Sequence, residues 1–166
     1  QREDVGAVGA KLYYPNDTIQ HAGVIVGIKG VAGHSHQFMP RDTVGYMFRC
    51  YVPQDLSAVT AACVMMKKSV FKEVGGLDEE HFKVAFNDID LCMKIRKAGY
   101  LVVWTPYAEA YHYESISRGA EDTSEKQERF RGEVAAFMSK WKKELDMGDP
   151  YYNPNLTLEK EDFSIK

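Results

Sequence analysis

Apolar residues in this chain fall in short runs, some with the period of a strand and some with the period of a helix. Val5 to Tyr13 reads as a strand carrying small residues, with Val-Gly-Ala twice in succession. Pro15-Asn16-Asp17 is turn chemistry, and Ile19 to Ile28 reads as a second strand closed by Lys29-Gly30. The stretch 33–54 is polar, glycine-bearing and dotted with aromatics, with no clear period. A segment of that length suits a functional loop. Leu56 to Met66 is the most strand-like apolar run. Ser69 stands where it can cap a short helix through Val74, which Gly75-Gly76 stops.

The clearest helix follows. Asn87 is a suitable N-cap, Asp88 and Asp90 fall in the first turn, where the helix dipole favours negative charge, and Gly99 supplies a left-handed end. Ile89, Cys92 and Ile95 share one face. Tyr100 to Thr105 reads as a buried strand broken by Pro106, and Ala108 to Tyr113 as a short extended piece. Asp122 and Glu125 form a capping-box-like pair opening a long helix. Phe130, Val134, Phe137, Trp141 and Leu145 make its docking stripe, and Asp149-Pro150 ends it. The tail 156–166 mixes charge with isolated apolar residues and is expected to be loosely held. Alternating strands and helices indicate an α/β architecture.

Composition narrows the function. The length, 166 residues, suits one domain with a real core. A net charge of −3 gives no reason to expect nucleic acid as a partner. No apolar run is long enough to cross a bilayer. Cys50, Cys63 and Cys92 lack metal-type spacing and read as free thiols of a reducing compartment. The chain begins at Gln1 and enters a strand almost at once, which reads as a piece of a longer protein.

Two features carry candidate chemistry. A helix this short does not need two acids in its first turn for stability, so one of Asp88 and Asp90 is available for chemistry, and Asp90, in the third helical position, suits structural capping. His34-Ser35-His36 has the look of a metal pair, but no cysteine or acid stands at a spacing that completes a site. Phe82 and Phe86 read as core or as stacking surfaces for a sugar, and Trp104 reads as core.

Four blocks in order carry a resemblance. They are Ser57-Ala58-Val59-Thr60-Ala61-Ala62-Cys63, Val74-Gly75-Gly76-Leu77-Asp78-Glu79, Phe86-Asn87-Asp88-Ile89-Asp90-Leu91 and His112-Tyr113-Glu114-Ser115. Together they resemble family 2 glycosyltransferases, inverting enzymes of the GT-A fold that use nucleotide sugars. The segment Asp149 to Leu156 also looks like the end of such domains in bacterial O-antigen and rhamnan-type polysaccharide enzymes.

The resemblance implies a partial GT-A-like mixed sheet flanked by helices, lacking most of the N-terminal nucleotide-binding half with its Asp-x-Asp metal motif. Residues 1–155 would then be the C-terminal, acceptor-side part of the domain. Asp88 matches the family's catalytic base, with Asn87 in place of the usual acidic neighbour. His112 matches a histidine that completes binding of a divalent metal (Mn²⁺ or Mg²⁺). Arg118 resembles a loop residue near the diphosphate. Gly75 and Gly76 suit a tight turn near the acceptor, and Asp78 holds that loop or bonds a sugar hydroxyl. The implied partners are a nucleotide-sugar donor and a growing glycan, with a location in the cytoplasm or, in the full-length protein, at the inner face of the membrane. An exposed sheet edge left by truncation implies a homo-oligomer. The alternatives are a non-catalytic carbohydrate-binding or scaffold module that keeps the fold, and a zinc hydrolase built on His34, His36 and His112.

Overall fold

The centre of the molecule is a pair of parallel strands made from distant parts of the chain. In this computed structural model, which describes residues 2–113 and 123–166, β1 (Val5–Tyr13) pairs in parallel with β7 (Leu101–Tyr111) along its whole length. On the other edge of β1 lie β2 (Ile19–His21) and β6 (Val64–Met66), both antiparallel to it. The far edge of β7 carries β5 (Gln54–Leu56), also antiparallel. A separate hairpin joins β3 (Val24–Val26) to β4 (Ala32–His34). The result is an α/β chain with a mixed sheet.

The small residues of β1 explain how this sheet packs. A Cβ at Gly6 would sit 2.5 Å from the Ile95 side chain, and one at Gly9 would sit 2.6 Å from Val59. The glycines at 6 and 9 therefore let α2 (Asn87–Lys97) and the segment after β5 lie directly on the strand. Ile89, Cys92 and Ile95 are buried on the inward face of α2. Gly99, at φ +93°, turns the chain at the helix end, where the Tyr100 N–H reaches the Ile95 carbonyl.

Several local expectations need correction. The run from Ile19 to Ile28 is two strands separated by Gly23 at φ +98°, not one. Leu56 to Met66 holds the end of β5, a 3₁₀ turn and β6. Pro106 does not end its strand, because β7 absorbs it where the register with β1 shifts. Helix α1 (Lys68–Glu73) begins after Lys67 with no side-chain cap, so Ser69 lies inside it. Asn87 is the first helical residue of α2, and Phe86, at φ +63°, precedes it in the left-handed region. The loop 33–54 contains the end of β4 and a 3₁₀ segment at Tyr46–Tyr51.

Helix α3 (Ser124–Lys140) starts at Thr123, whose hydroxyl accepts the Lys126 N–H; Asp122 lies outside the described residues. The chain bends at Trp141 into α4 (Lys142–Met147). Phe137 and Trp141 of the expected stripe are buried, Val134 and Leu145 pack against the core, and Phe130 remains 44% exposed. Parts of the tail pack on the rest of the chain. Leu156 and Phe163 join Ile25, Ile28 and Tyr152 in a second small core, and Leu156 forms a bridge with Ile165. Its isolated apolar residues are the ones that dock.

Candidate active site

The first turn of α2 carries two aspartates with opposite surroundings. Asp88 is half-buried. One carboxylate oxygen accepts the Ala61 N–H at 3.1 Å and the other the Ile89 N–H at 2.9 Å. These bonds satisfy one orphan donor of α2 and fasten the helix to the turn after Thr60. No lysine or arginine among the described residues pairs with Asp88. Each oxygen of the Asp88 carboxylate keeps lone-pair capacity for a further hydrogen bond.

Asp90 is fully buried. It accepts the indole N–H of Trp141 at 2.9 Å and pairs with Lys140 at 2.7 Å and Lys94 at 3.1 Å. It does not bond back to the helix start, as its position in the sequence suggested. Its side chain turns inward to join α2 to the end of α3.

The turn before α2 is wired to this buried network. The Gly76 carbonyl accepts from Lys94 at 2.6 Å. Gly75 and Gly76 both have positive φ, and a Cβ on Gly76 would press on the Phe71 ring at 3.0 Å. Asp78 receives Lys140 at 2.9 Å and the His81 backbone and ring at 3.0 Å. The Lys140 hydrogen bond, with help from His81, holds the Asp78 carboxyl well below the usual range. Glu133, almost fully buried on α3, accepts the Val84 and Ala85 N–H groups at 2.9 and 3.1 Å. Phe82 and Phe86 pack on Phe137. The aromatic residues considered for sugar stacking are thus part of the packing that positions Asp88.

His112 follows the last residue of β7. Its Nδ1 meets the Gln20 side-chain oxygen at 2.8 Å, and its carbonyl accepts the Gln20 amide at 3.2 Å. The amide of Gln20 assigns the Nδ1 proton, which leaves Nε2 as the acceptor a metal would use. The next residue, His21, is completely buried. Its Nε2 faces the Thr60 N–H at 3.4 Å and its Nδ1 lies 2.8 Å from Nδ1 of His34. Burial, with His34 nearby, pushes the His21 ring well below the usual histidine range. Neighbouring residues of β2 thus touch both halves of the candidate site: Gln20 the histidine, and His21 the turn that holds Asp88. Sequence reasoning missed both. The only signal was two polar residues in succession inside an apolar strand.

The other candidates are not brought together. His36 is buried, its Nε2 accepts the Tyr46 N–H at 3.0 Å, and burial first, then Arg49 and Lys11, lower it to about 4. His34 faces His21. Among the described residues no three histidine, cysteine or acidic side chains converge on one point, so the zinc site of the hydrolase alternative is not assembled there. For the same reason the described residues do not complete a set of three such ligands around His112. Cys50, Cys63 and Cys92 are free thiols. Arg118 lies outside the described residues. No helix among the described residues is long and apolar enough to cross a membrane.

No family model and no solved structure matches the chain. Curated relatives do. An uncharacterized protein of Sinorhizobium fredii, y4gI, is 58% identical over 99% of this chain and 18% of its own length. The O-antigen biosynthesis protein RfbC of Myxococcus xanthus is 38% identical over 100% of this chain and 13% of its own length. An N-acetylglucosaminyl-diphospho-decaprenol L-rhamnosyltransferase of Mycobacterium tuberculosis is 30% identical over 72% of this chain and 41% of its own length. The chain spans less than half the length of each. Its similarity to segments of proteins named for O-antigen biosynthesis and rhamnosyl transfer points to a glycosyltransferase-like family.

Proposed function

We propose that this chain is the acceptor-side part of an inverting, GT-A-like glycosyltransferase that moves a sugar from a nucleotide diphosphate to a hydroxyl of a growing glycan. The observation that carries the reading is Asp88: half-buried at a helix start, fixed by two backbone N–H groups and clear of cations among the described residues. The acceptor O–H loses its proton to the Asp88 carboxylate as its oxygen bonds to the anomeric carbon, and the nucleotide diphosphate leaves from the opposite face. In this reading Asn87 flanks the base, Gly75 and Gly76 shape the turn before the helix, and Asp78 holds that turn to α3.

His112, with Nδ1 engaged by Gln20, would be one ligand of a divalent metal, which when bound would offset charge on the leaving diphosphate. Further ligands would come from outside the described residues, as would any contact from Arg118. β6 pairs with β1 on one side, and no described strand covers its other edge. That edge is where the rest of a sheet, or a second copy, would add.

The test is release of nucleotide diphosphate from UDP- and dTDP-sugars in the presence of Mn²⁺ and a glycan acceptor, by the polypeptide that carries this segment. Asp88→Asn should lower turnover by about 10²- to 10⁴-fold with donor affinity kept. Turnover unchanged in Asp88→Asn would remove the assignment.

A further inference from the structure

At the C-terminal end of the central strand pair, one face carries an alternating pattern that the Asp88 chemistry does not use. Lys11 stands opposite Glu109, and Tyr13 opposite Tyr111, in the parallel register. Tyr107 precedes them on the same face of β7 by the two-residue period. These side chains, with Arg41 and Tyr51 from the long loop, line an open groove of about 770 Å³, a size that takes sugar units.

The polar groups are organised around Glu109. Its two oxygens accept from the Tyr13 hydroxyl and from Arg41, each at 2.7 Å. Arg41 also reaches the Tyr111 hydroxyl at 2.8 Å and lies over the Tyr13 ring at 4.5 Å. The Tyr111 hydroxyl donates to Asp17. Burial would raise the Glu109 carboxyl, but the Tyr13 and Arg41 bonds outweigh it, and the group sits below the usual range.

Two members are left with unused capacity. The Lys11 ammonium, 3% exposed, meets the Arg41 and Cys50 carbonyls at 3.5 and 3.4 Å, the outer limit of a hydrogen bond, and otherwise lies over the faces of Tyr13 and Tyr51. An ammonium has three donors, and these contacts use two of them weakly. The Tyr107 ring is 78% exposed, with no ring partner among the described residues. An aromatic plate beside a planar carboxylate–guanidinium pair and a spare ammonium suits a ring with one apolar face and hydroxyls around its rim.

We propose that this groove is a carbohydrate subsite, separate from Asp88, in which a sugar of the glycan stacks on Tyr107 and hydrogen-bonds to Lys11, Arg41 and Glu109. The proposal rests on the reading that the protein handles glycans. Binding here would hold the chain of the acceptor by a residue other than the one that reacts.

The experiment is NMR titration of this 18.8 kDa chain with oligosaccharides of rhamnose, of N-acetylglucosamine and of glucose. At least one should give saturable shifts at the backbone amides of Lys11, Arg41 and residues 107–111. Tyr107→Ala, at a surface ring, should weaken that binding about tenfold, Lys11→Met should also weaken it, and Asp88→Asn should leave it unchanged. No saturable shift with any of the three, or shifts that persist undiminished in Tyr107→Ala, would overturn the subsite. Saccharide binding at the groove in a protein with no transferase activity would keep the subsite and remove the proposed reaction. Transfer without groove binding would do the reverse.

Discussion

Asp88 and Asp90 stand two residues apart on one helical turn, yet they belong to different regions of the molecule. Asp88 faces the turn after Thr60 and is held by backbone donors. Asp90 points into the seam between α2 and α3, where two lysines and an indole N–H surround it. Helix geometry separates residues i and i+2 by roughly 200°, so one start signal aims two identical side chains at opposite environments. The difference shows that residue type and position near a helix start are not enough to assign a chemical role. What matters is which other elements arrive on each side. An acid met by lysines is committed to the fold, and an acid met by peptide N–H groups keeps lone pairs for a further partner.

The sharpest way to break the comparison is to exchange the readouts. Asp88→Asn should cost about 10²- to 10⁴-fold in transfer rate and about 1 kcal/mol or less in stability, since the amide oxygen can still accept an N–H. Rate assays beside denaturant unfolding of the same variant check this, and a stability loss as large as that of an Asp90 variant would erase the distinction. Asp90→Ala should destabilise by about 3–5 kcal/mol, because it leaves Lys94 and Lys140 facing each other in a seam closed by Trp141. Urea unfolding measures it, and a midpoint close to the parent's would mean the buried network is dispensable.

A smaller effect sharpens the same contrast. Glu133→Gln should cost roughly 1–3 kcal/mol, because one of the two N–H groups of Val84 and Ala85 loses its acceptor. Hydrogen exchange should speed at those amides before it speeds at the sheet, while equal speeding everywhere would argue against a local clamp.

His36 titrates at about 4 in the folded protein because burial disfavours its charged form. Unfolded, it titrates near 6.5. A depressed histidine favours the folded state fully above about pH 6.5, and that stability is lost as pH falls towards 4. His21, also depressed by burial, acts in the same direction. His36→Gln should therefore reduce the slope of stability against pH between 6.5 and 4 and leave part of it to His21. A slope identical to the parent's would show that His36 protonates without cost in the folded state.

Much of this architecture was legible from local pattern. β1 begins and ends where its apolar run does, α2 spans its periodic stretch, and Gly99 stands with positive φ at the end of that helix. Boundaries failed where tertiary contacts overrode local preference. Phe86, whose bulk argues against a left-handed backbone, takes that conformation because its ring is packed on Phe137 and Phe130 and its loop is gripped by Glu133. In the tail the apolar residues are far apart in sequence, and Leu156 and Phe163 share a core with Ile25 and Ile28.

By itself the sequence determined the α/β alternation, the small-residue strand, the acidic helix start and the likeness to glycosyltransferases, because each is written in neighbouring residues and short periods. Tertiary structure alone decided that Asp88 meets backbone and Asp90 meets lysine, that Gln20 holds His112, and that Lys11 and Tyr13 share a groove with Glu109 and Tyr111. Those relations join residues from 27 to almost 100 positions apart. The register of a parallel pair and the docking of α3 create them, and no local pattern of side chains encodes which distant partner will arrive.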